Sequence, residues 1–254
     1  MSELFLSIRL MKQKTVLKKK KKSESKTSQK SESKQKLSSK QKVALHAVQK
    51  QMQLLKLKQW LVVIGFAFGG AALRGPMQAV PSAEPITFFA ILSGWLFGKK
   101  KGFVTGAAAG YISNFIMFGG HGPWTIPQML VWGLAGFLGG FIKNIKPTKN
   151  YFVYWLRSII PVVGIVFVST LLFDIVMNVS WAFFSPFSII GLMLSGLPFL
   201  LIHLTSNIGF SLLLPFARKV VHEKGKFNEM EICKSIVNKF GGSAKLNWMS
   251  KRDR

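Results

Sequence analysis

Acidic residues are scarce in this chain, and cysteine is almost missing. Only 9 Asp and Glu stand against 35 Lys and Arg, with one Cys and 4 His among 254 residues. The single thiol, Cys233, excludes an internal disulfide framework. So few histidines and acids leave no zinc constellation; His121 and Glu84 come nearest, and one His with one acid does not make a site. The chain has no GxxxxGK[ST] phosphate loop, no cofactor-binding motif and no Ser-His-Asp spacing, so any ATP hydrolysis must come from partners. A cleavable leader is not expected, because the first apolar stretch, Leu4 to Met11, is short and lacks a small-residue cleavage site.

What is present is 49% hydrophobic and carries a formal net charge of +26. Those two figures are compatible only if the charge is segregated. Residues 1–58 hold 17 Lys and Arg with 3 acids, residues 59–217 hold 8 with 2, and residues 218–254 hold 10 with 4. The expected organisation is a basic, largely disordered tail over 1–58, an apolar body over 59–218 and a second basic tail over 219–254. The run Lys18 to Lys22 reads as a cytoplasmic tail against anionic headgroups in preference to a nucleic-acid arm.

Six apolar segments occupy about 60–76, 86–98, 102–118, 126–142, 154–181 and 187–216. A spanning helix takes about 20 residues, so the second is short. The sixth is long enough to tilt strongly or to break near Pro198. The connections alternate in charge. Lys99, Lys100 and Lys101 lie between the second and third segments; Lys143, Lys146 and Lys149 lie between the fourth and fifth; Arg218 and Lys219 follow the sixth. The opposite connections, 77–85, 119–125 and 182–186, contain no Lys or Arg. The positive-inside rule then predicts an all-α integral membrane protein, multi-pass in the cell membrane, with six transmembrane helices and both termini cytoplasmic.

Polar residues inside such a body are costly and mark functional sites. Asp174 lies about two turns from the outer end of the fifth segment, and Asn178 follows on the same helical face. Asp174 either contacts a ligand or pairs with Arg74. His203 and Asn207 share a face of the sixth segment, where Asn207 suits a structural hydrogen bond, and Asn114 lies near the outer end of the third. The outer connections add Glu84, His121, Trp124 and Gln128; glycines around His121 and Pro123 with Pro127 make a hinged, Trp-tipped loop able to close over a molecule. Aromatic walls with a few polar groups describe a small-molecule site, and the two acids favour a ligand with donors or partial positive charge. In the first segment Ala67, Gly69 and Ala71 form a small-residue stripe able to dock another membrane protein.

The order of these features resembles the S components, the substrate-binding membrane subunits of energy-coupling factor transporters. The resemblance covers residues 60–218. It rests on the six-span topology, the stripe Ala67-Phe68-Gly69-Gly70-Ala71, the hairpin ILSGWLFGKKKGFVTGAAAGYISNF and the ending SNIGFSLLLP. The tails are longer than a minimal S component needs. The resemblance implies an S-component-like bundle that captures a vitamin or related micronutrient from outside. It further implies docking, through Ala67, Gly69 and Ala71, to a transmembrane coupling subunit served by two cytoplasmic ATPases. Two other readings compete: an intramembrane enzyme using Asp174 and His203, and a membrane anchor with recruiting tails.

Overall fold

A computed structural model describes residues 39–80, 82–143, 145, 150–225 and 227. Lys18 to Lys22, Lys146, Lys149 and Cys233 lie outside the described residues. The chain divides into two units. The described residues 39–50, which are helical, fall in one unit, and every side-chain contact described below lies within the other, Gln51–Ile232.

Among the described residues there are seven α-helices and no strand: α1 Ser39–Arg74, α2 Ile86–Phe97, α3 Lys99–Ser113, α4 Thr125–Gly139, α5 Tyr151–Ala182, α6 Ile189–Ser211 and α7 Leu214–Gly225, with a short 3-10 turn at Pro76–Ala79. Each of the six apolar segments lies on a helix. Three stretches are long and apolar enough to cross a membrane, Leu45–Ala79, Tyr151–Ala182 and Ile189–Glu223, while α2 and α4 are shorter apolar helices.

Two boundaries differ from the sequence reading. The first helix begins well before residue 60, because VALHAVQKQMQLLKLK contains neither Pro nor Gly and is rich in helix formers. The last extends to Gly225. The sixth segment runs unbroken through Pro198 and gives way instead at Leu212 and Leu213, the turn between α6 and α7. A mid-helix proline costs one backbone donor and a local clash, which packing can absorb.

The short helix α2 is central. It packs against α3, α4, α5, α6 and α7 and buries Ile86, Ala90, Ile91, Leu92 and Trp95. Gly98, at φ 93°, turns the chain from α2 into α3 in a left-handed conformation that glycine adopts without strain. The lysines that follow are held at this end: Lys99 sits 3.4 Å from the Phe141 ring centroid, and Lys101 donates to the Gln59 side chain. At the same end Arg218 donates to the Tyr154 hydroxyl at 3.0 Å and lies over the Trp95 ring.

Helices α2, α3 and α4 meet backbone to backbone. A Cβ on Gly136 would lie 2.0 Å from the Gly102 carbonyl oxygen, and one on Gly106 would lie 2.0 Å from that of Trp132. Close approach of this kind is how helices gain dispersion energy in lipid, where burial from water supplies none.

The small residues of α1 serve the same purpose, which corrects the docking expectation. Ala67 and Ala71 are buried, Ala67 beside Ile86, Ala109 and Trp132, and Gly69 faces Phe89. The outward face of α1 carries Leu61, Ile64 and Phe68 instead. Two consequences can be read from melting curves in detergent. Gly136→Ala should lower stability by about 1–3 kcal/mol through overpacking, whereas Gly164→Ala, which meets nothing within 4 Å, should stay within about 0.5 kcal/mol of wild type. Ala71→Trp should abolish the folded bundle itself and not merely detach a partner.

Candidate functional site

The connection from Gly75 to Pro85 was expected as an outer loop, but it turns inward. Ser82 takes a positive φ of 61°, and its carbonyl accepts from the Ser206 hydroxyl at 3.3 Å, five residues before the end of α6. Non-helical backbone at such depth survives in a membrane only where protein covers it. This inward turn explains why α2 is short: Ile86 begins the helix fully buried.

The turn brings Glu84 to Arg74. The guanidinium, 7% exposed as a residue, donates to Glu84 Oε1 at 3.3 Å, to Ser113 Oγ at 2.8 Å and to Asn114 Oδ1 at 3.1 Å. Asn114 passes the network on, donating from Nδ2 to Gln128 Oε1 at 3.1 Å and to Thr125 Oγ1 at 3.3 Å. Four segments therefore converge on one cation: the end of α1, the inward turn, the end of α3 and the start of α4. This convergence lies at the end of α3 opposite the Lys99–Lys101 turn.

A second polar group lies between α5 and α6. Asp174 Oδ2 and His203 Nδ1 are 2.9 Å apart. Asn207 donates to Thr170 Oγ1 at 3.0 Å, the structural bond its position implied. Asn178 faces the same helix and packs over Gly196. Of the two alternatives for Asp174, the pairing with Arg74 does not form. Each takes a nearer partner, since Glu84 is delivered to Arg74 by a turn that no helical periodicity could reveal.

Aromatic rings join the two groups. Arg74 lies 4.8 Å from the Trp132 ring centroid, Trp132 packs on Phe173 at 5.1 Å, and Phe173 meets His203 edge-on at 5.0 Å. Trp132 is fully buried at this junction. Within these two groups and the rings that join them, five buried polar atoms have no hydrogen-bond partner: Arg74 Nε, Glu84 Oε2, Trp132 Nε1, His203 Nε2 and Asn207 Oδ1. An unmet buried donor or acceptor costs about 1–3 kcal/mol, so this concentration is the strongest mark of a site in the molecule.

Of the remaining candidates, Trp124 stacks on Trp181 at 5.5 Å, where Pro123, Ser180 and Phe184 complete a shallow cleft. The Trp-tipped loop thus rests against the end of α5. His121 is not brought to the site; it is exposed and packs between Tyr111 and Phe115. It approaches no acid, and among the described residues no group of three or more His, Cys, Asp or Glu is placed to hold a metal.

Comparison with protein families, with characterised proteins and with solved structures returned no match. The site therefore has to be read from its own chemistry. Sequence reasoning found Glu84, Asn114, Gln128, Asp174 and His203 but missed Arg74 as their centre, together with Ser113, Thr125, Thr170 and the Ser82 carbonyl. One signal for Arg74 was available: it is the only Lys or Arg between residues 59 and 98.

The pairing makes a prediction. Glu84→Gln should strand a buried cation and cost about 3–5 kcal/mol, part of which Arg74→Gln in the same chain should return. Arg74→Gln should give no rescue of Asp174→Asn. Melting curves of the singles and doubles decide both points; rescue of the second pair would restore the Asp174–Arg74 bridge.

Proposed function

We propose that this chain is the substrate-binding membrane subunit of an importer of the energy-coupling factor type, and that it is not itself an enzyme. It captures a vitamin or related micronutrient from outside. It then passes the molecule through a transmembrane coupling subunit driven by two cytoplasmic ATPases. The observation that carries this reading is the set of buried donors and acceptors without partners on Arg74, Glu84, Trp132, His203 and Asn207. A purely structural core would pair or omit them. Polar groups retained inside a lipid-facing bundle are accounted for by a polar cargo.

Orientation follows from charge. The Lys99–Lys101 turn and Arg218 face the cytoplasm, and the Trp124 loop faces outward. Helices α1 to α6 are the six spans, with α2, α3 and α4 shielded where they are short. Uptake then requires the bundle to re-expose its site inward, and the coupling partner supplies that step.

The Asp174–His203 contact of 2.9 Å favours a second reading, an intramembrane hydrolase using the pair as general base. No side-chain hydroxyl or thiol among the described residues is hydrogen-bonded to His203 Nε2, so the nucleophile would have to be water.

Two measurements test the proposal. Purified full-length protein should retain a small molecule without added ATP, identified by mass spectrometry, and should turn over neither ATP nor that molecule. Chemical turnover of the retained molecule would favour the hydrolase. In oriented vesicles of a Cys233→Ser background, Lys100→Cys should be labelled from the cytoplasmic side and His121→Cys from the other. Labelling of both from one side would overturn the topology.

A further inference from the structure

The unpartnered atoms differ in kind, and the difference specifies a ligand. Arg74 Nε and Trp132 Nε1 are donors, while Glu84 Oε2 and Asn207 Oδ1 are acceptors. His203 Nε2 is decided by its neighbour. The 2.9 Å contact places Asp174 to accept a proton from Nδ1, and in the tautomer with its single proton there Nε2 is an acceptor. The His203 side chain is 2% exposed, and Phe173 packs against its ring edge-on, so the imidazole is fixed in place.

Charge adds a second constraint. The site holds one guanidinium, Arg74, and two carboxylates, Glu84 and Asp174. With His203 neutral the balance is one negative charge; with His203 protonated it is zero. In neither case does net positive charge remain to hold an anion. The other described cations are remote from it. Lys99, Lys101 and Arg218 are engaged at the opposite end, and His121 is exposed between Tyr111 and Phe115.

We infer that His203 is the specificity-determining residue of this site, held by Asp174 as a hydrogen-bond acceptor, and that the ligand is an uncharged or singly cationic nitrogen compound with N–H donors and at least one acceptor. Carboxylate ligands are rejected. Asp174 is a positioning residue: it selects the tautomer and does not need to touch the ligand. The inference rests on the reading of this chain as a ligand-capturing subunit, and it adds which chemistry is captured.

Replacing Asp174 by Asn permits the amide to donate to Nδ1. The imidazole proton then moves to Nε2, which becomes a donor, as a carboxylate-to-amide change does in other carboxylate–imidazole pairs. Shape and burial are preserved while the polarity of the site is inverted.

The full chain in lipid nanodiscs supplies the test. Nitrogen-15 NMR of labelled histidine, with the His203 signal assigned by its loss in His203→Gln, should show Nε2 unprotonated in wild type and protonated in Asp174→Asn. Binding is read with nicotinamide and cytosine against nicotinate and benzoate, by thermal stabilisation and calorimetry. The donor-bearing probes should bind and the two carboxylates should not. Asp174→Asn should weaken the donor-bearing probes roughly tenfold, the scale of one lost hydrogen bond. His203→Gln, which keeps an amide acceptor, should retain more affinity than His203→Leu. A protonated Nε2 in wild type overturns the assignment of His203 regardless of any transport result. Binding of a carboxylate in preference to its amide overturns the ligand class and leaves the capture reading standing. Binding of no probe also overturns the class as drawn here, while the capture reading is decided separately by the molecule that co-purifies.

Discussion

The bundle is organised around a buried guanidinium. Arg74 carries a charge whose removal from water costs several kcal/mol, and that cost must be met locally. Glu84 meets the charge, Ser113 and Asn114 take the remaining directed bonds of one amino group, and the Trp132 face covers the plane. Each partner comes from a different segment. The requirement to satisfy one cation therefore sets the inward course of residues 75–85, the depth at which α2 starts, and the register of α3 against α4. A lysine would not serve equally, since its point charge lacks the planar fork that reaches Ser113, Asn114 and Glu84 together.

Glycine supplies the complementary constraint. Contacts such as Gly136 on Gly102 draw α2, α3 and α4 so close that no side chain fits between them. The polar side chains this seam does hold are small and paired across it, Thr105 Oγ1 lying 2.7 Å from Ser93 Oγ, and the larger polar groups lie at its margins. One margin holds Arg74 and its partners. Across Trp132 and Phe173 lies the other polar group, carried by α5 and α6. The site forms where a tightly fused trio of helices meets a hairpin whose lipid-side face is far more open, and a ligand at that junction would contact both parts.

The helices were legible in the sequence because long apolar runs separated by charged or Gly- and Pro-rich connections mark where helices begin and end. Lys99 to Lys101 marked a turn, and Asp174, Asn178 and His203 were visible as polar exceptions on apolar faces. The course of the connection 77–85 was not legible. Its composition, MQAVPSAEP, suits a surface loop, and nothing local states that Glu84 will be drawn inward by a cation ten residues earlier. The stripe at Ala67 and Ala71 failed for a related reason: small residues permit close approach, but the sequence does not say whether the approaching helix belongs to the same chain. Pro198 misled because a broken backbone bond is a local cost, whereas helix continuity is set by packing along the whole of α6.

Under the proposed reading, stability and recognition draw on the same atoms. Glu84 offers one oxygen to Arg74 and keeps the other unpaired; Asn207 binds Thr170 with its amide and leaves its carbonyl unused; His203 gives Nδ1 to Asp174 and withholds Nε2. In every case one half of a bifunctional group fixes the side chain and the other half is buried without a partner. A side chain with no structural bond would lose rotamer freedom only on binding, and that loss would subtract from affinity. Anchoring each group through its other end moves the ordering cost into folding. The unmet half then gains its hydrogen bond in full when a partner arrives, so a ligand with the matching pattern would stabilise the bundle as it binds.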